Sequence, residues 1–439
     1  MTASVITADH ILIGAHAGLL GPGYVVVEDG RILEVREGQP PGAPDVDLGG
    51  RLLMPGLVNC HAHTPMTLMR GVASGRSLLT LEGWLGSVRA LEAGLTAEMI
   101  RPAVLLSVAE MIRTGTVAFA DQYFFAEEVT AAIRETGIRA AVAYGVVELG
   151  DAGDRARELG RLAQFLERTS DQGLVEAWVG PHAFFVDNTV ESINREMELA
   201  AAHGTGLHAH FSTGSEEDDV CRERFGRTAL QVMHDMGLLD HRLILAHGNS
   251  IPVEDVHLLA RPGVSVSVNA SVCMASGAAM PPVAAIREAG GRVVMGTDNV
   301  CNNNTHDMFR EMGFLGRLAS YAAARPSALT SEEILEIATT QGRTALGHPV
   351  GAGTLTSGAP ADLVALALED VPVGPVGAQS VADALVYGAT GLAVSDTMVA
   401  GAWLMRDREL LTIDAASARA DVQAAFGVLA RVAADRPAG

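Results

Sequence analysis

The chain of 439 residues contains no lysine, and all 31 of its formally basic side chains are arginines. This absence excludes a Schiff-base lysine, a phosphate-loop lysine and a carbamylated lysine that bridges two metal ions. The four cysteines are widely spaced and include no Cys-x-x-Cys pair, so they do not resemble a disulfide framework. The sequence also lacks a basic region at its start and any long uncharged apolar run. We therefore expect no signal peptide and no membrane-spanning helix, and we expect a soluble cytoplasmic protein.

Positive charge is scarce, because 52 acidic side chains outnumber the 31 arginines and give a formal net charge of −21. A chain this acidic repels phosphate backbones and anionic lipids, so we expect neither a nucleic-acid partner nor a membrane partner. The same charge favours a small-molecule substrate that is neutral or cationic. Hydrophobic residues make up 48% of the chain and charged residues 19%, which is typical of a protein with a large buried core. We further expect a homo-oligomer.

The middle of the chain is typical of an α/β fold. Between residues 57 and 350, apolar strand-like runs alternate with helical patterns, starting with a helix predicted over 96–114 and a buried strand over 116–121. Strands that alternate with helices predict a parallel sheet. About eight such units favour a closed (β/α)8 barrel of the TIM type over an open doubly wound sheet. No Gly-x-Gly-x-x-Gly motif follows the first strand, which also argues against a dinucleotide-binding fold.

Both ends of the chain predict short strands instead. The predicted strands are 4–13, 24–35, 362–368, 382–387 and 396–400, and a helix is predicted over 415–433. A turn signal at 28–31 divides the second strand into a hairpin. We expect the two end segments, 1–56 and 351–439, to pair into one small composite β-sandwich domain beside a catalytic barrel at 57–350.

Polar side chains follow several predicted barrel strands, at the end where the active site of such a barrel lies. These side chains are His61, His63, His182, His208, His210, His247 and Asp298. His61 and His63 are two residues apart, so on a strand they point to the same side, as metal ligands do. His208 and His210 share a face for the same reason, and their spacing alone does not decide which one is a ligand. Three histidines and one carboxylate suit a metal ion that keeps an open position for water.

Short motifs occur in a fixed order along nearly the whole chain. They are 55–63 (PGLVNCHAH), 68–71 (LMRG), 84–85 (WL), 110–116 (EMIRTGT), 121–124 (DQYF), 180–182 (GPH), 208–210 (HAH), 246–247 (AH), 275–277 (ASG), 296–298 (GTD), 302–304 (NNN), 307–309 (DMF) and 360–363 (PADL). With these motifs the chain resembles the amidohydrolase superfamily, specifically its cytosine-deaminase-like branch. That branch holds the S-adenosylhomocysteine/methylthioadenosine deaminases and the triazine chlorohydrolases.

The resemblance implies a distorted barrel with a composite β domain and one divalent metal ion, zinc in the first place and iron as the alternative. The implied metal ligands are His61, His63, His210 and Asp298. Two of the implied roles are catalytic: Asp298 accepts a proton from water, and His247 orients the attacking oxygen and stabilises the adduct. The implied substrate-binding residues are Trp84, His182 and Thr213. The absence of lysine fits the one-metal members of the superfamily.

One position departs from the pattern of this branch. Its deaminases carry His-x-x-Glu after the fifth strand, and the glutamate passes a proton to the ring nitrogen under attack. The matching stretch, 210–213, ends here in Thr213, whose hydroxyl cannot act as an acid near neutral pH. Glu216 and Glu217 follow, and we expect them on a solvated acidic face. A second departure is 268–270 (VNA), where many relatives read His-Asn-Pro.

These observations favour a metal-dependent hydrolase that acts on a C–N bond of a small cyclic or nucleoside-like substrate. A reaction that needs less ring protonation, such as hydrolysis of an amide or a urea, would be affected less by Thr213. Two alternatives stay open: a dechlorinating or other non-deaminating hydrolase on the same scaffold, and a catalytically silent relative that binds metal. The released product, whether ammonia, an amine or a halide, distinguishes the two kinds of enzyme.

Overall fold

The computed structural model describes residues 3–169, 173–372 and 380–434. In chain order the strands are β1 (Ser4–Leu12), β2 (Leu19–Leu20), β3 (Gly23–Glu28), β4 (Arg31–Glu37), β5 (Val46–Pro55), β6 (Leu57–Ala62), β7 (Thr116–Tyr123), β8 (Arg139–Val146), β9 (Val175–Pro181), β10 (Leu207–Phe211), β11 (Leu243–His247), β12 (Val264–Val268), β13 (Arg292–Met295), β14 (Leu363–Ala367), β15 (Val394–Val399), β16 (Ala402–Arg406) and β17 (Glu409–Leu410). The predicted domain bounds also include 1–2, 170–172, 373–379 and 435–439, which lie outside the described residues. The bounds themselves stay a prediction.

Helices connect most of the strands in the middle of the chain and also follow the last strand. They are α1 (Leu81–Leu85), α2 (Arg89–Glu92), α3 (Ala97–Arg113), α4 (Ala126–Thr136), α5 (Ala152–Thr169), α6 (Val190–His203), α7 (Glu216–Phe225), α8 (Ala229–Asp235), α9 (Ala270–Ser276), α10 (Val283–Glu288), α11 (Met308–Ala322), α12 (Ser331–Glu336), α13 (Gly342–Ala345), α14 (Val381–Asp383) and α15 (Ala415–Ala434). Within the described ranges, none of the helices has the length and apolar character needed to cross a bilayer.

Strands β6 to β13 form one parallel sheet of eight strands in the described part of the chain, and each strand pairs with the next in chain order. Both faces of this sheet pack against other parts of the protein. Every residue of β7, β11 and β12 is therefore buried. This arrangement confirms the predicted (β/α)8 fold class.

The barrel nearly closes where its first and last strands meet, and we call this place the seam. The amide of Asp298 donates a hydrogen bond to the carbonyl of His61 over 2.8 Å, and Ala62 and Asp298 form a parallel bridge. Gly296 permits this approach, because a Cβ there would come within 2.6 Å of the His61 nitrogen. The seam therefore brings residues from the two ends of the barrel sequence into direct contact.

A second, mixed sheet joins the two ends of the chain. Its strand order is β17-β16-β15-β14-β5-β1-β3-β4, with β2 paired to β1. β5 runs parallel to β1 and antiparallel to β14, which places Leu53 opposite Ala365. Side chains alternate along these strands: Leu53 is buried in the sheet's own core, whereas Leu52 packs into the core of the barrel. The composite β domain therefore shares one face with the barrel.

A buried ion-pair cluster fastens the mixed sheet to the barrel. Asp362 accepts hydrogen bonds from Arg139 over 2.8 Å and from Arg343 over 2.5 Å. Its other oxygen accepts the amide of Ala400 over 2.6 Å. Burial would raise the pKa of Asp362, but the two guanidinium groups hold it below its ordinary value. Because Arg139 begins β8 and Arg343 lies in α13, one carboxylate ties β14 and β15 to two parts of the barrel.

Residues 382–387 are helical, so the prediction of a strand there was wrong. The hydroxyl of Ser380 accepts the amide of Asp383 over 3.0 Å, a cap that starts a helix. Ala382 and Leu385 are three residues apart and both are buried, as on the inner face of a helix. A short apolar run does not by itself distinguish a buried strand from a buried helix.

Candidate active site

Four side chains converge at the carboxyl ends of the barrel strands. They belong to His61 and His63 at the end of β6, His210 in β10 and Asp298 after β13, and one ligand atom from each lies within 4.8 Å of the others. The Nε2 atoms of His61 and His63 are 3.3 Å and 3.2 Å from Asp298 Oδ1. His210 Nε2 is 3.2 Å from His63 Nε2. The structure thus brings together the four residues that the family resemblance implies as metal ligands.

Hydrogen bonds behind two of the rings decide which nitrogen faces this cluster. His63 Nδ1 donates to the carbonyl of Gln122 over 2.6 Å, and His210 Nδ1 donates to the carbonyl of His182 over 2.8 Å. In a neutral ring the proton is then on Nδ1, and Nε2 carries a lone pair. Two such lone pairs 3.2 Å apart and beside a carboxylate repel one another unless a cation compensates them. This donor set fits a divalent metal ion.

The charges in the cluster also favour a cation. Burial and the neighbouring His182 hold the pKa of His210 well below its usual value, so this ring is neutral. Burial would raise the pKa of Asp298, but the neighbouring His61 and His63 rings hold it well below its ordinary value. Burial alone would lower the pKa of His63, yet the Asp298 carboxylate and the Gln122 carbonyl raise it. The site therefore attracts positive charge.

His208 lies behind the cluster rather than in it. Its Nε2 is 2.8 Å from His61 Nδ1, and the ring is fully buried. The side-chain amide of Gln122 donates to the His208 carbonyl over 2.6 Å and fixes this part of β10. The geometry thus separates two histidines that their spacing left equivalent: His210 faces the cluster, and His208 positions His61.

His247, the last residue of β11, approaches the cluster from a neighbouring strand. Its Nε2 is 3.8 Å from Asp298 Oδ2, and the Asn269 side-chain amide donates to its Nδ1 over 3.2 Å. Burial lowers the pKa of His247 to about 3, so the ring is neutral. Because Nδ1 accepts a hydrogen bond, the ring proton is on Nε2, on the side of Asp298. In the sequence, Asn269 stands out only as part of 268–270, which departs from the family pattern and predicts no role for it.

Three residues at strand ends near the cluster adopt left-handed backbone conformations that are rare outside glycine. The φ angles are +53° at Ser212, +86° at His247 and +57° at Asp298. Each such conformation costs on the order of 1–3 kcal/mol, and it persists where the surrounding structure enforces it. The strained residues lie at or just after the ends of β10, β11 and β13, where the loops begin. Two of them, His247 and Asp298, are themselves candidate active-site residues.

A pocket of about 790 Å³, part of it open to solvent, lies over the cluster. This volume is in the range of small-molecule sites. The three predicted substrate-binding residues, Trp84, His182 and Thr213, all line it. The rings of Trp84 and His182 are 5.2 Å apart, and the His182 ring is 4.8 Å from that of His210. The predicted residues therefore lie beside the cluster, while their role in substrate binding stays a prediction.

The pocket wall contains two buried acids, Asp187 and Glu92, that the sequence did not predict as site residues. Asp187 accepts a hydrogen bond from Nδ1 of His182 over 2.5 Å, which leaves His182 Nε2 available to a ligand. Glu92 accepts hydrogen bonds from the Trp84 indole and the Tyr123 hydroxyl, each over 3.0 Å. Neither acid directly follows a barrel strand, so the rule that functional polar residues end barrel strands predicts neither of them.

Glu217 is buried, so the prediction of a solvated acidic face after Thr213 was wrong. Its side chain is 1% exposed, and its Oε1 accepts the Ser212 amide over 2.9 Å. Burial raises the pKa of Glu217 to about 8. Glu216 is partly buried, and both glutamates line the pocket. The physical reason is local: the amide of Ser212, a left-handed residue just after β10, donates to Glu217 and holds its side chain against the end of that strand.

Known proteins match this chain over most of its length. A model of the amidohydrolase family matches residues 52–404. The chain is 35% identical over 414 residues to a 5′-deoxyadenosine deaminase of Methanosarcina barkeri, with 93% of this chain and 94% of that protein covered. It is 36% identical over 423 residues to a 5-methylthioadenosine/S-adenosylhomocysteine deaminase of Halobacterium salinarum, with 92% and 95% covered.

Solved structures show the same fold. An adenosine deaminase of Xanthomonas campestris with bound zinc has a TM-score of 0.90 and 29% identity, with 97% of this chain and 98% of that chain covered. An atrazine chlorohydrolase of Arthrobacter aurescens in complex with zinc has a TM-score of 0.86 and 20% identity, with 96% and 99% covered. The second likeness extends to the fold alone. The resemblance predicted from the motifs is thus confirmed: the chain belongs to the amidohydrolase family and is a deaminase-like, metal-dependent hydrolase of C–N bonds.

Proposed function

We propose that this protein removes the amino group of an adenine nucleoside whose 5′ position carries no phosphate, and releases ammonia. Two relatives support the substrate class, since their names specify adenosine derivatives altered at the 5′ position. Each of them aligns with this chain over more than nine-tenths of both lengths.

The observation that carries the proposal is the convergence of three imidazole Nε2 atoms and one carboxylate beneath the pocket. We propose that His61, His63, His210 and Asp298 hold one zinc ion there. A bound divalent ion supplies activated water at neutral pH, because it lowers the pKa of water toward about 7.

Asp298 and His247 divide the proton transfer and the charge stabilisation between them. The Asp298 carboxylate accepts a proton from the attacking water and passes it to the leaving amine, which departs as ammonia. His247 is neutral and protonated at Nε2, so it donates a hydrogen bond to the oxygen that gains negative charge on the ring carbon. Asn269 keeps that proton on Nε2 through its own bond to Nδ1.

The pocket wall selects neutral substrates. Among the described residues that line it, none is arginine and five are acidic: Glu92, Asp187, Glu216, Glu217 and Asp298. A phosphate group would find no arginine to pair with among these residues, so nucleotides are disfavoured. The His182 ring lies 5.2 Å from the Trp84 ring and 6.3 Å from the Phe124 ring, and these three rings in the wall offer flat faces to a base.

Dechlorination of a triazine remains the alternative from the sequence. The triazine hydrolases resemble this chain at about 20% identity, which extends to the fold alone. No contact among the described residues favours a halide as the leaving group. The homo-oligomeric state and the cytoplasmic location also stay predictions.

A product assay tests the proposed function. The purified protein is analysed for bound metal and incubated with 5′-deoxyadenosine, 5′-methylthioadenosine, adenosine 5′-monophosphate and atrazine. We expect one zinc ion per chain, ammonia from the first two compounds, and a kcat/KM at least about tenfold lower for the monophosphate, equivalent to ~1.4 kcal/mol. A His63→Ala protein prepared in parallel controls for contaminating deaminases. Chloride from atrazine without ammonia from either nucleoside would refute the proposal.

A further inference from the structure

Deamination of an aromatic ring requires a proton at the ring nitrogen next to the carbon under attack, and Thr213 cannot donate one near neutral pH. We propose that Glu217 donates this proton. The inference rests on the proposed function, because a better leaving group than an amine would not create this demand.

The Glu217 carboxyl group is fixed at one oxygen and available at the other. Its Oε1 accepts the Ser212 amide over 2.9 Å. Its Oε2 is buried and has no hydrogen-bond partner among the described residues. Glu217 lines the same pocket as His210 and His247. A buried polar atom without a partner is costly, and a substrate nitrogen that enters the pocket would supply the missing partner.

The loop between β10 and α7 explains how a glutamate four positions after Thr213 can take this place. Ser212 turns the chain with a φ of +53°, and the Asn249 side-chain amide donates to the Thr213 carbonyl over 3.1 Å. These two features fix the backbone at Ser212 and Thr213, and the Ser212 amide is the group that donates to Glu217 Oε1. Thr213 has a shorter side chain than glutamate and also lines the pocket, so position 213 fills less of the pocket than a glutamate would.

The surroundings of Glu217 keep its proton in place at neutral pH. Burial raises the pKa of the Glu217 carboxyl to about 8, and the charge of Glu216 raises it further against the effect of nearby backbone amides. A general acid must be protonated when it acts, as this carboxyl is at pH 7. The pocket that Glu217 lines also holds the titratable side chains of Glu216, His210, His247 and Asp298. The other titratable side chains of α7 are Asp218, Asp219, Cys221, Arg222, Glu223 and Arg224.

The proposed step balances in atoms and electrons. A water oxygen bonds to the ring carbon that bears the amino group, and the electron pair released to the ring nitrogen takes the Glu217 proton. The bond to the amino group then breaks, and its nitrogen leaves as ammonia with one proton of the water. The second proton of the water returns to the Glu217 carboxylate. The proton on the ring nitrogen stays in the lactam product.

Three variants test this role on zinc-loaded protein with 5′-deoxyadenosine as substrate. Glu217→Gln should lower kcat by roughly 10²–10⁴. Glu196→Gln is the matched control, because Glu196 is fully buried and has a pKa raised by burial to about 8. Its Oε2 has no partner within the described ranges, and the residue does not line the pocket. This control should keep kcat within about threefold. The double variant Thr213→Glu/Glu217→Gln returns a carboxyl group to position 213. Its kcat should be at least roughly tenfold higher than that of Glu217→Gln.

A second readout does not depend on turnover. In protein labelled with 13C at the glutamate carboxyl carbons, the NMR resonance that disappears in Glu217→Gln should titrate above pH 7. In the wild type, kcat/KM should fall as the pH rises through the same value, because the protonated acid is the active form. Zinc content and thermal melting of each variant are recorded with these measurements.

The outcomes separate this inference from the proposed function. If the wild type releases ammonia and Glu217→Gln is equally active, the inference is overturned and the proposed function stands. Loss of activity without recovery in the double variant would assign Glu217 a structural role and would also overturn the inference. A wild type that releases no ammonia would refute both. Should Glu217→Gln fail to fold, a wild-type kcat/KM that stays constant from pH 7 to about pH 9 would refute the inference.

Discussion

Asp362→Asn should destabilise the protein by several kcal/mol without changing its chemistry. The Asp362 carboxylate pairs with Arg139 and Arg343, and Arg343 is only 2% exposed, so its guanidinium would stay buried without a negative partner. Removal of one partner from a buried ion pair costs about 3–5 kcal/mol. The asparagine carbonyl can still accept the Ala400 amide, so that bond is kept. We therefore expect the free energy of unfolding to fall by about 4 kcal/mol.

Thermal and urea denaturation measure this loss. With about 2.1 cal/mol/K per residue, a chain of 439 residues has an unfolding entropy of about 0.9 kcal/mol/K, so about 4 kcal/mol lowers Tm by about 4 °C. Glu135→Gln is the control, since it removes an exposed pair with Arg101 that should contribute less than about 1 kcal/mol. In both variants kcat at 25 °C should equal that of the wild type, because neither residue lines the pocket.

The pH dependence of stability gives a further check on Asp362. Its folded pKa lies below the ordinary value of about 3.9, because the two arginines outweigh the effect of burial. The stabilisation is therefore fully present above that value and is lost as the pH falls through the lower, folded pKa. The difference in Tm between wild type and Asp362→Asn should shrink in this acidic range. A loss below about 1 kcal/mol at pH 7 would refute the reasoning about the buried pair.

Three further outcomes concern the active site. His63→Ala should lower zinc affinity by at least roughly 10²-fold and abolish activity; full metal loading in elemental analysis would contradict its assignment as a ligand. His247→Ala should keep its zinc and lose roughly 10²–10⁴ in kcat, and unchanged turnover would remove His247 from the mechanism. Asp187→Ala should raise KM by roughly tenfold with unchanged zinc content, because His182 loses its charge-assisted hydrogen bond. An unchanged KM would show that His182 does not depend on Asp187.

The positions of the proposed ligands could be predicted from the sequence because each one ends or follows an apolar barrel strand. Strand alternation placed His61 and His63 on one side, and the parallel sheet brought their strand to the same end as those of His210 and Asp298. The same alternation could not separate His208 from His210. That distinction depends on His61 Nδ1 and on the His182 carbonyl, which lie on other strands or loops.

Features that depend on a single turn or cap could not be predicted. Glu217 is held by the amide of Ser212, a residue in a left-handed conformation that the sequence does not signal. The helical form of 382–387 depends on the capping hydroxyl of Ser380 just outside the apolar run. In both cases one local backbone choice outweighed the composition of the segment that follows it.

The seam has a consequence for how the protein is made. His61 lies on the first barrel strand and Asp298 follows the last, so a growing chain on the ribosome holds the proposed ligands together only after β13 has emerged. A fragment that ends before β13 lacks both the carboxylate and the partner that closes the barrel. Such a fragment cannot capture the metal in the finished geometry. Metal uptake by all four proposed ligands would therefore require a completed barrel.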